Sequence, residues 1–147
     1  MKAFILVGYP GSGKSTWAKE RSAVIINRDS LRTMIYGKYS FKTEDELLIR
    51  EMSESCAWAA MNHSRDIIID DTNLTIGTRA KWIESFKRMD YRVTFVYFQT
   101  DMETCISRRG VEGKGFSEEY WRKIINGMST IFTSPSVKEG ADELIVV

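Results

Sequence analysis

The sequence predicts an α/β sandwich of three layers, with helices on both faces of a central, mostly parallel sheet of four to five strands. Apolar runs of strand length recur along the chain, and a stretch of helical spacing separates each from the next. The 147 residues, 43% hydrophobic and 28% charged, suffice for one modest core. The strand candidates are Ala3 to Val7, Ala23 to Ile26, Asp66 to Ile69 and Arg92 to Phe98, with Leu144 to Val147 as a fifth. Runs this continuous suit strands buried on both faces, which is the condition of a parallel sheet covered by helices.

The helices have readable starts. Thr43-Glu44-Asp45-Glu46 has the spacing of a capping box and opens a helix through about Asn62, and Thr100-Asp101-Met102-Glu103 repeats it. Ala80, Ile83 and Phe86 mark the inner face of a middle helix. After Ser117, the series Tyr120, Trp121, Ile124, Ile125, Met128, Ile131 and Phe132 follows helical spacing and reads as a core stripe. From Arg109 to Phe116 the glycines at 110, 113 and 115 argue against regular structure, which leaves either a candidate lid over 109–116 or a plain surface loop. No linker, repeat or low-complexity tract interrupts the chain, so residues 1–147 read as a single domain.

Composition removes several functions. Lys and Arg total 21 against 20 Asp and Glu, a net charge of +1 that is too small for sequence-independent nucleic-acid binding. No apolar stretch reaches membrane-spanning length, and Met1 to Val7 reads as a buried strand rather than a signal peptide, so no membrane association and a cytoplasmic location are expected. Cys56 and Cys105 have no metal or redox spacing and read as small apolar fillers, and the single histidine, His63, leaves no basis for a zinc cluster. Residues 1–40 are locally basic, with seven Lys and Arg against Glu20 and Asp29, which suits an anion site.

Directly after the first strand stands Gly8-Tyr9-Pro10-Gly11-Ser12-Gly13-Lys14-Ser15, a match to G-x-x-x-x-G-K-[ST] that leads through Thr16 into a helix. Its glycines let backbone N–H groups turn inward around a phosphate, Lys14 reaches the β- and γ-phosphates, and Ser15 offers a hydroxyl to Mg²⁺. A nucleoside triphosphate and Mg²⁺ are therefore the expected ligands. No guanine-reading N-K-x-D begins at Asn27, Asn62, Asn73 or Asn126, which argues against a GTPase. The short chain favours a small phosphotransferase over a motor.

Such an enzyme needs a carboxylate to deprotonate an acceptor hydroxyl and cations to clamp phosphates. The second strand runs into Asn27-Arg28-Asp29-Ser30-Leu31-Arg32, and ligands gather at the carboxyl ends of strands in a doubly wound sheet. Asp29 is thus either a general base or a helix cap, and Arg32, one turn on, either an anion anchor or a surface pair. The third strand ends in Asp70-Asp71-Thr72-Asn73, where one of the two acids either supports Mg²⁺ or simply starts a turn. Arg108 and Arg109 either close on the triphosphate or serve as ordinary helix C-terminal cations.

Taken together, GYPGSGKSTWA, INRDSLR, DDTNL and SRRG resemble, in order and spacing, the kinase domain of the phage-type polynucleotide kinases, from Met1 to about Trp121. The resemblance implies a P-loop kinase fold and ATP-dependent transfer of the γ-phosphate to 5′-hydroxyl ends of DNA or RNA, as in end repair. It puts Asp29 at the general base and Arg32 at the residue holding the phosphate beside the acceptor nucleoside. Gly8, Pro10, Gly11, Ser12, Gly13, Lys14, Ser15 and Thr16 fall on the ATP and Mg²⁺ loop. Asp71, with Thr72 and Asn73 of the same motif, falls on the acceptor side, and Arg109 on the lid arginine at the donor phosphates. Arg108 is adjacent, so which of the two reaches the nucleotide stays open. The better-known members carry a phosphatase domain after the kinase, for which this chain has no room, so 3′-phosphate removal is not expected. Small-molecule kinases share the P-loop, and a metabolite or nucleoside acceptor is the alternative; a non-catalytic nucleotide-binding module is the third.

Overall fold

The computed structural model describes residues 1–112 and 115–147. Five strands, β1 (Lys2–Val7), β2 (Val24–Ile26), β3 (Ile67–Ile69), β4 (Arg92–Tyr97) and β5 (Glu143–Val146), form one sheet in the order β2-β3-β1-β4-β5. Every pairing is parallel, with Ile5 opposite Ile69 on one side of β1 and Phe95 on the other. Parallel pairing brings the carboxyl ends of β1, β2 and β3 to one edge, which is where the phosphate loop and the Asp-rich turns leave the sheet. The expected α/β class and all five strands are present, with boundaries shifted by a residue or two.

The side-chain alternation of β1 divides the core. Ala3, Ile5 and Val7 face one way with Ile67, Ile69, Val93 and Phe95, and pack against Ala57, Ala60 and Met61 of helix α3 (Glu46–Asn62) and Ile83 and Phe86 of helix α4 (Ile76–Lys87). Phe4 and Leu6 face the other way with Ile68 and Val96, onto Trp17 and Ala18 of helix α1 (Lys14–Lys19). Cys105 and Ile106 of helix α5 (Met102–Glu112) and Ile125 of helix α6 (Glu118–Ser129) make a smaller cluster. Helix α2 (Arg28–Tyr36) packs against α3. Among the described residues no helix is long and apolar enough to cross a membrane.

Several local expectations are corrected. Thr43–Asp45 forms a 3₁₀ turn and α3 starts at Glu46 with no side-chain cap, because the Glu46 carboxylate is held by Arg32 of α2. Asp101, not Thr100, caps α5: its carboxylate accepts from the Thr104 N–H at 2.9 Å, while the Thr100 hydroxyl donates to the Ser12 carbonyl at 3.0 Å. Ser117 caps α6 as expected, accepting from the Tyr120 N–H, but the helix ends at Ser129, short of Ile131 and Phe132. The segment expected as a glycine-rich loop is helical through Glu112, so Arg109 and Gly110 lie within α5; Gly113 of the candidate lid falls outside the described residues. Gly110 permits contact rather than flexibility, since a Cβ there would stand 2.9 Å from Cβ of Glu118 on α6. Cys56 is exposed, so only Cys105 acts as an apolar filler.

On α4, Ala80 faces solvent and the fully buried position is Arg79. Its Nε and Nη2 donate to both oxygens of Glu139 at 2.8 and 2.9 Å, and Nη1 donates to the Asn73 carbonyl at 2.9 Å. A charge this deep is tolerated only when fully paired. Removing one partner from a buried pair costs about 3–5 kcal/mol, whereas an apolar replacement of both is often near neutral. We expect Glu139→Ala to lose stability on that scale in urea unfolding and an Arg79→Met/Glu139→Leu double variant to recover most of it; a Glu139→Ala loss below about 1 kcal/mol would show that the pair is not a structural requirement.

Candidate active site

The loop from Gly8 to Gly13 wraps around the side chain of Lys14, which is buried. Its ammonium donates to the carbonyls of Gly8 and Tyr9 at 3.0 and 2.6 Å and to the Ser12 hydroxyl at 3.3 Å. Burial brings the Lys14 pKa down to about 8, against the opposing pull of the Asp70 and Asp71 carboxylates. At Gly11 the backbone has φ 83°, and a Cβ would lie 2.7 Å from the Cys105 carbonyl, so only glycine lets this loop run against α5. The loop is pinned from outside by the Gly8 N–H donating to the Thr72 carbonyl at 3.1 Å and by Thr100 on Ser12.

A cleft of about 1520 Å³ opens over the carboxyl ends of the strands. Pro10, Gly11, Ser12, Gly13, Lys14, Ser15 and Thr16 line it together with Asp29, Arg32, Asp70, Asp71, Thr72, Arg108 and Arg109. The loop and the acceptor-side candidates, distant in sequence, therefore face one space. Two candidates lie outside the lining: Gly8, the loop's anchor, and Asn73. Asn73 is buried at φ 45° and donates its amide to the Leu6 carbonyl at 2.7 Å, so it ties the β3 turn to β1 instead of facing a ligand.

Asn27, rather than Asp29, caps α2, its side-chain oxygen accepting from the Ser30 N–H at 2.8 Å. That leaves the Asp29 carboxylate on the first turn, where it accepts from Arg32 Nη1 at 2.8 Å. Arg32 is nearly buried and also donates Nε and Nη2 to the two oxygens of Glu46, at 3.0 and 2.8 Å. Burial works against this charge, but the Glu46 and Asp29 carboxylates outweigh it and hold the guanidinium above its ordinary pKa. Asp70 is buried and accepts from the Asn27 amide at 2.9 Å, whereas Asp71 pairs with Arg28. Sequence reading missed Glu46; the capping-box spacing masked its role.

Of the adjacent arginines, Arg108 is exposed and donates to the Gly11 carbonyl at 3.2 Å. Arg109 lies 5.1 Å over the Trp121 ring, pairs with Glu112 at 3.2 Å, and sits close enough to Lys14 to help depress its pKa. Its buried Nε and the Trp121 Nε1 have no hydrogen-bond partner among the described residues. The stripe of α6 is only partly core: Trp121 and Ile125 are buried, but Tyr120, Trp121, Ile124 and Met128 line the cleft. Tyr39 and Phe41 also line it, the latter with the Arg32 guanidinium 5.2 Å from its ring centre. Tyr9 packs on Phe132, and the Tyr36 hydroxyl donates to Asp45. His63 is exposed at the end of α3. Among the described residues no three His, Cys, Asp or Glu side chains converge as a metal site.

Comparison with known proteins agrees with this geometry. The chain is 24% identical over 137 residues to a bifunctional polynucleotide phosphatase/kinase of Schizosaccharomyces pombe, an alignment covering 92% of this chain and 31% of that protein. The structure of a Pnkp1/Rnl/Hen1 complex contains a chain matching with TM-score 0.64 and 30% identity, over 73% of this chain and 38% of that one. The chain thus spans about a third of the length of these two relatives. The Mycobacterium tuberculosis APS kinase CysC, in complex with AMPPNP and APS, shares the fold at TM-score 0.63 and 17% identity, over 99% of this chain and 87% of that one. A model of the AAA domain family AAA_33 matches residues 4–118. A P-loop that enfolds a buried lysine, a parallel sheet delivering acids and arginines to the same cleft, and a family model spanning most of the chain make this protein a member of the AAA_33 family, with a polynucleotide kinase-like P-loop domain.

Proposed function

We propose that this domain transfers the γ-phosphate of ATP to the 5′-hydroxyl of a polynucleotide. The observation that supports the reading is that one cleft is lined both by Lys14 and Arg109, which we assign to the donor, and by Asp29 and Arg32 at the start of α2, which we assign to the acceptor. Its volume of about 1520 Å³ exceeds the roughly 300–1,000 Å³ of ordinary ligand pockets and leaves room for donor and acceptor together. Tyr39, Phe41 and Tyr120 offer aromatic faces in the same cleft for an unstacked base. The sequence likeness to polynucleotide kinases supports the same acceptor.

In this mechanism Asp29, oriented by Arg32, accepts the proton of the 5′-hydroxyl as its oxygen attacks the γ-phosphorus, and ADP departs. Lys14 and Arg109 stabilise the charge spread over the transferring group, and the loop N–H groups hold the β-phosphate. Asp71 supports the acceptor side through Arg28. The residues suit Mg²⁺, which takes few protein oxygens: the Ser15 hydroxyl would bind it and Asp70, oriented by Asn27, would hold its water, the ion neutralising charge on the β- and γ-phosphates. Arg109 approaches the donor phosphates from the C-terminal part of α5. A second reading, a small-molecule alcohol as acceptor, is favoured by the two carboxylates already engaging Arg32, which lower its attraction for a phosphate.

Labelled ATP offered with a 5′-hydroxyl oligonucleotide, its 5′-phosphorylated twin and a panel of small alcohols separates the readings. Label on the 5′-hydroxyl oligonucleotide alone is expected, and label only on a small alcohol would discard the nucleic-acid acceptor. Asp29→Ala is expected to lower kcat by roughly 10²- to 10⁴-fold, the range for a general base, with ATP affinity retained.

The Lys14 pKa of about 8 sets a pH dependence. A bound triphosphate favours the ammonium, so its pKa in the complex lies above that of the free protein. Below about pH 8 the free protein is already protonated and affinity is flat. Above it, the proton must be taken up on binding, and ATP affinity falls by up to about tenfold per pH unit. Calorimetric titrations from pH 7 to 9.5 read this as proton uptake; a Lys14→Arg variant is expected to bind without the break, and a flat wild-type profile would contradict the assigned role of Lys14.

A further inference from the structure

Arg32 has five N–H donors, and three of them are committed to carboxylates: Nε and Nη2 to Glu46 and Nη1 to Asp29. The Glu46 contact is the side-on, two-bond arrangement that gives arginine–carboxylate pairs their strength and orientation. Phe41 lies 5.2 Å away over the guanidinium, and the Arg32 side chain is only 9% exposed. The cluster of Asp29, Arg32 and Glu46 is formally anionic. An incoming phosphate therefore meets a cation whose best donor edge already has an occupant of the same charge as itself.

Among the described residues the Glu46 side chain has no hydrogen-bond partner other than Arg32. Glu46 is the first residue of α3, where the helix end favours an acid, but its side chain caps nothing. It lines the cleft beside Arg32, Tyr39 and Phe41. Its bond joins α2 to the first turn of α3, whereas the Asp29 bond stays within α2. If the Glu46 pair opens, Asp29 still neutralises Arg32, so the guanidinium can exchange Glu46 for a ligand without becoming an isolated buried charge.

We propose that Glu46 is a specificity-determining residue: it competes with an acceptor phosphate for the Nε and Nη2 edge of Arg32, and so sets how strongly the domain prefers acceptors that carry a phosphate next to the hydroxyl. This rests on the reading that Arg32 faces the acceptor. A purely structural Glu46 would affect all acceptors alike; a competing Glu46 acts on the phosphate-bearing form alone.

The test titrates adenosine and adenosine 3′-monophosphate into the wild-type chain and Glu46→Gln, which keeps the size and removes the charge. The ratio of affinities, monophosphate over adenosine, is expected to rise about tenfold in Glu46→Gln, the scale of one hydrogen bond to a charged group. An unchanged ratio, an equal loss for both probes, or no monophosphate binding by either protein overturns the proposal. Should Glu46→Gln fail to fold in thermal unfolding, the wild-type chain answers alone: the Arg32 Nε–H resonance is expected to shift on adding the monophosphate and stay in place with adenosine, and a resonance unmoved by the monophosphate refutes the exchange. Transfer of label to a 5′-hydroxyl oligonucleotide is scored on the same wild-type preparation. Its absence would overturn the polynucleotide reading, while the competing role of Glu46 is still decided by the binding ratio or the resonance.

Discussion

A lysine ammonium buried with no carboxylate in hydrogen-bond contact among the described residues organises this domain. Lys14 is satisfied by two carbonyls and a hydroxyl of the loop that encloses it, while its burial lowers the pKa to about 8. An ammonium in that position costs free energy until an anion arrives, so the loop stores an affinity for phosphate in its own conformation. Every constraint nearby serves to keep that conformation. Gly11 lets the loop touch α5, Thr100 ties Ser12 down, and the Thr72 carbonyl takes the Gly8 N–H. Behind them Asn73 bonds β1, and the fully buried Arg79 bonds the Asn73 carbonyl and Glu139. The chain of contacts runs from a 3₁₀ turn before β5 through α4 and the β3 turn to the phosphate loop. The C-terminal segment, which shows no chemistry in its sequence, thereby supports the catalytic edge from behind.

What could be read from the sequence and what could not divides along one physical line. Strands and the phosphate loop are local: apolar runs and a glycine-lysine spacing carry them without any distant partner. The Ser117 cap is local too, and it formed. Thr43 and Thr100 had the same local signature and failed, because long-range partners claimed their groups: Arg32 took Glu46, Arg122 took Glu103, and the Thr100 hydroxyl went to Ser12. Arg79 escaped notice since an arginine in an amphipathic pattern reads as surface, and only Glu139, sixty residues on, permits its burial. Charge counting along the chain located the cleft in part: Lys14, Lys19, Arg28 and Arg32 line it. Of the cations in residues 1–40, Lys2 and Arg21 lie in a separate cavity with Arg65 and Asp66, and acids from beyond residue 40, Asp71 and Glu46, neutralise Arg28 and Arg32.

The two sides of the cleft are built differently, and this bears on what each can recognise. The phosphate loop is fixed by a backbone bond from Gly8, by the Thr100 hydroxyl on the Ser12 carbonyl and by close approach at Gly11. The side of Asp29 and Arg32 is held by side-chain ion pairs, Arg28 with Asp71 and Arg32 with Asp29 and Glu46. In the proposed reaction the loop held by its backbone serves the triphosphate, and the side held by ion pairs serves the acceptor. On the proposed reaction, acceptor choice is written in the few residues of α2 and the start of α3 that decide which carboxylate each arginine keeps, and not in the loop that made the domain recognisable.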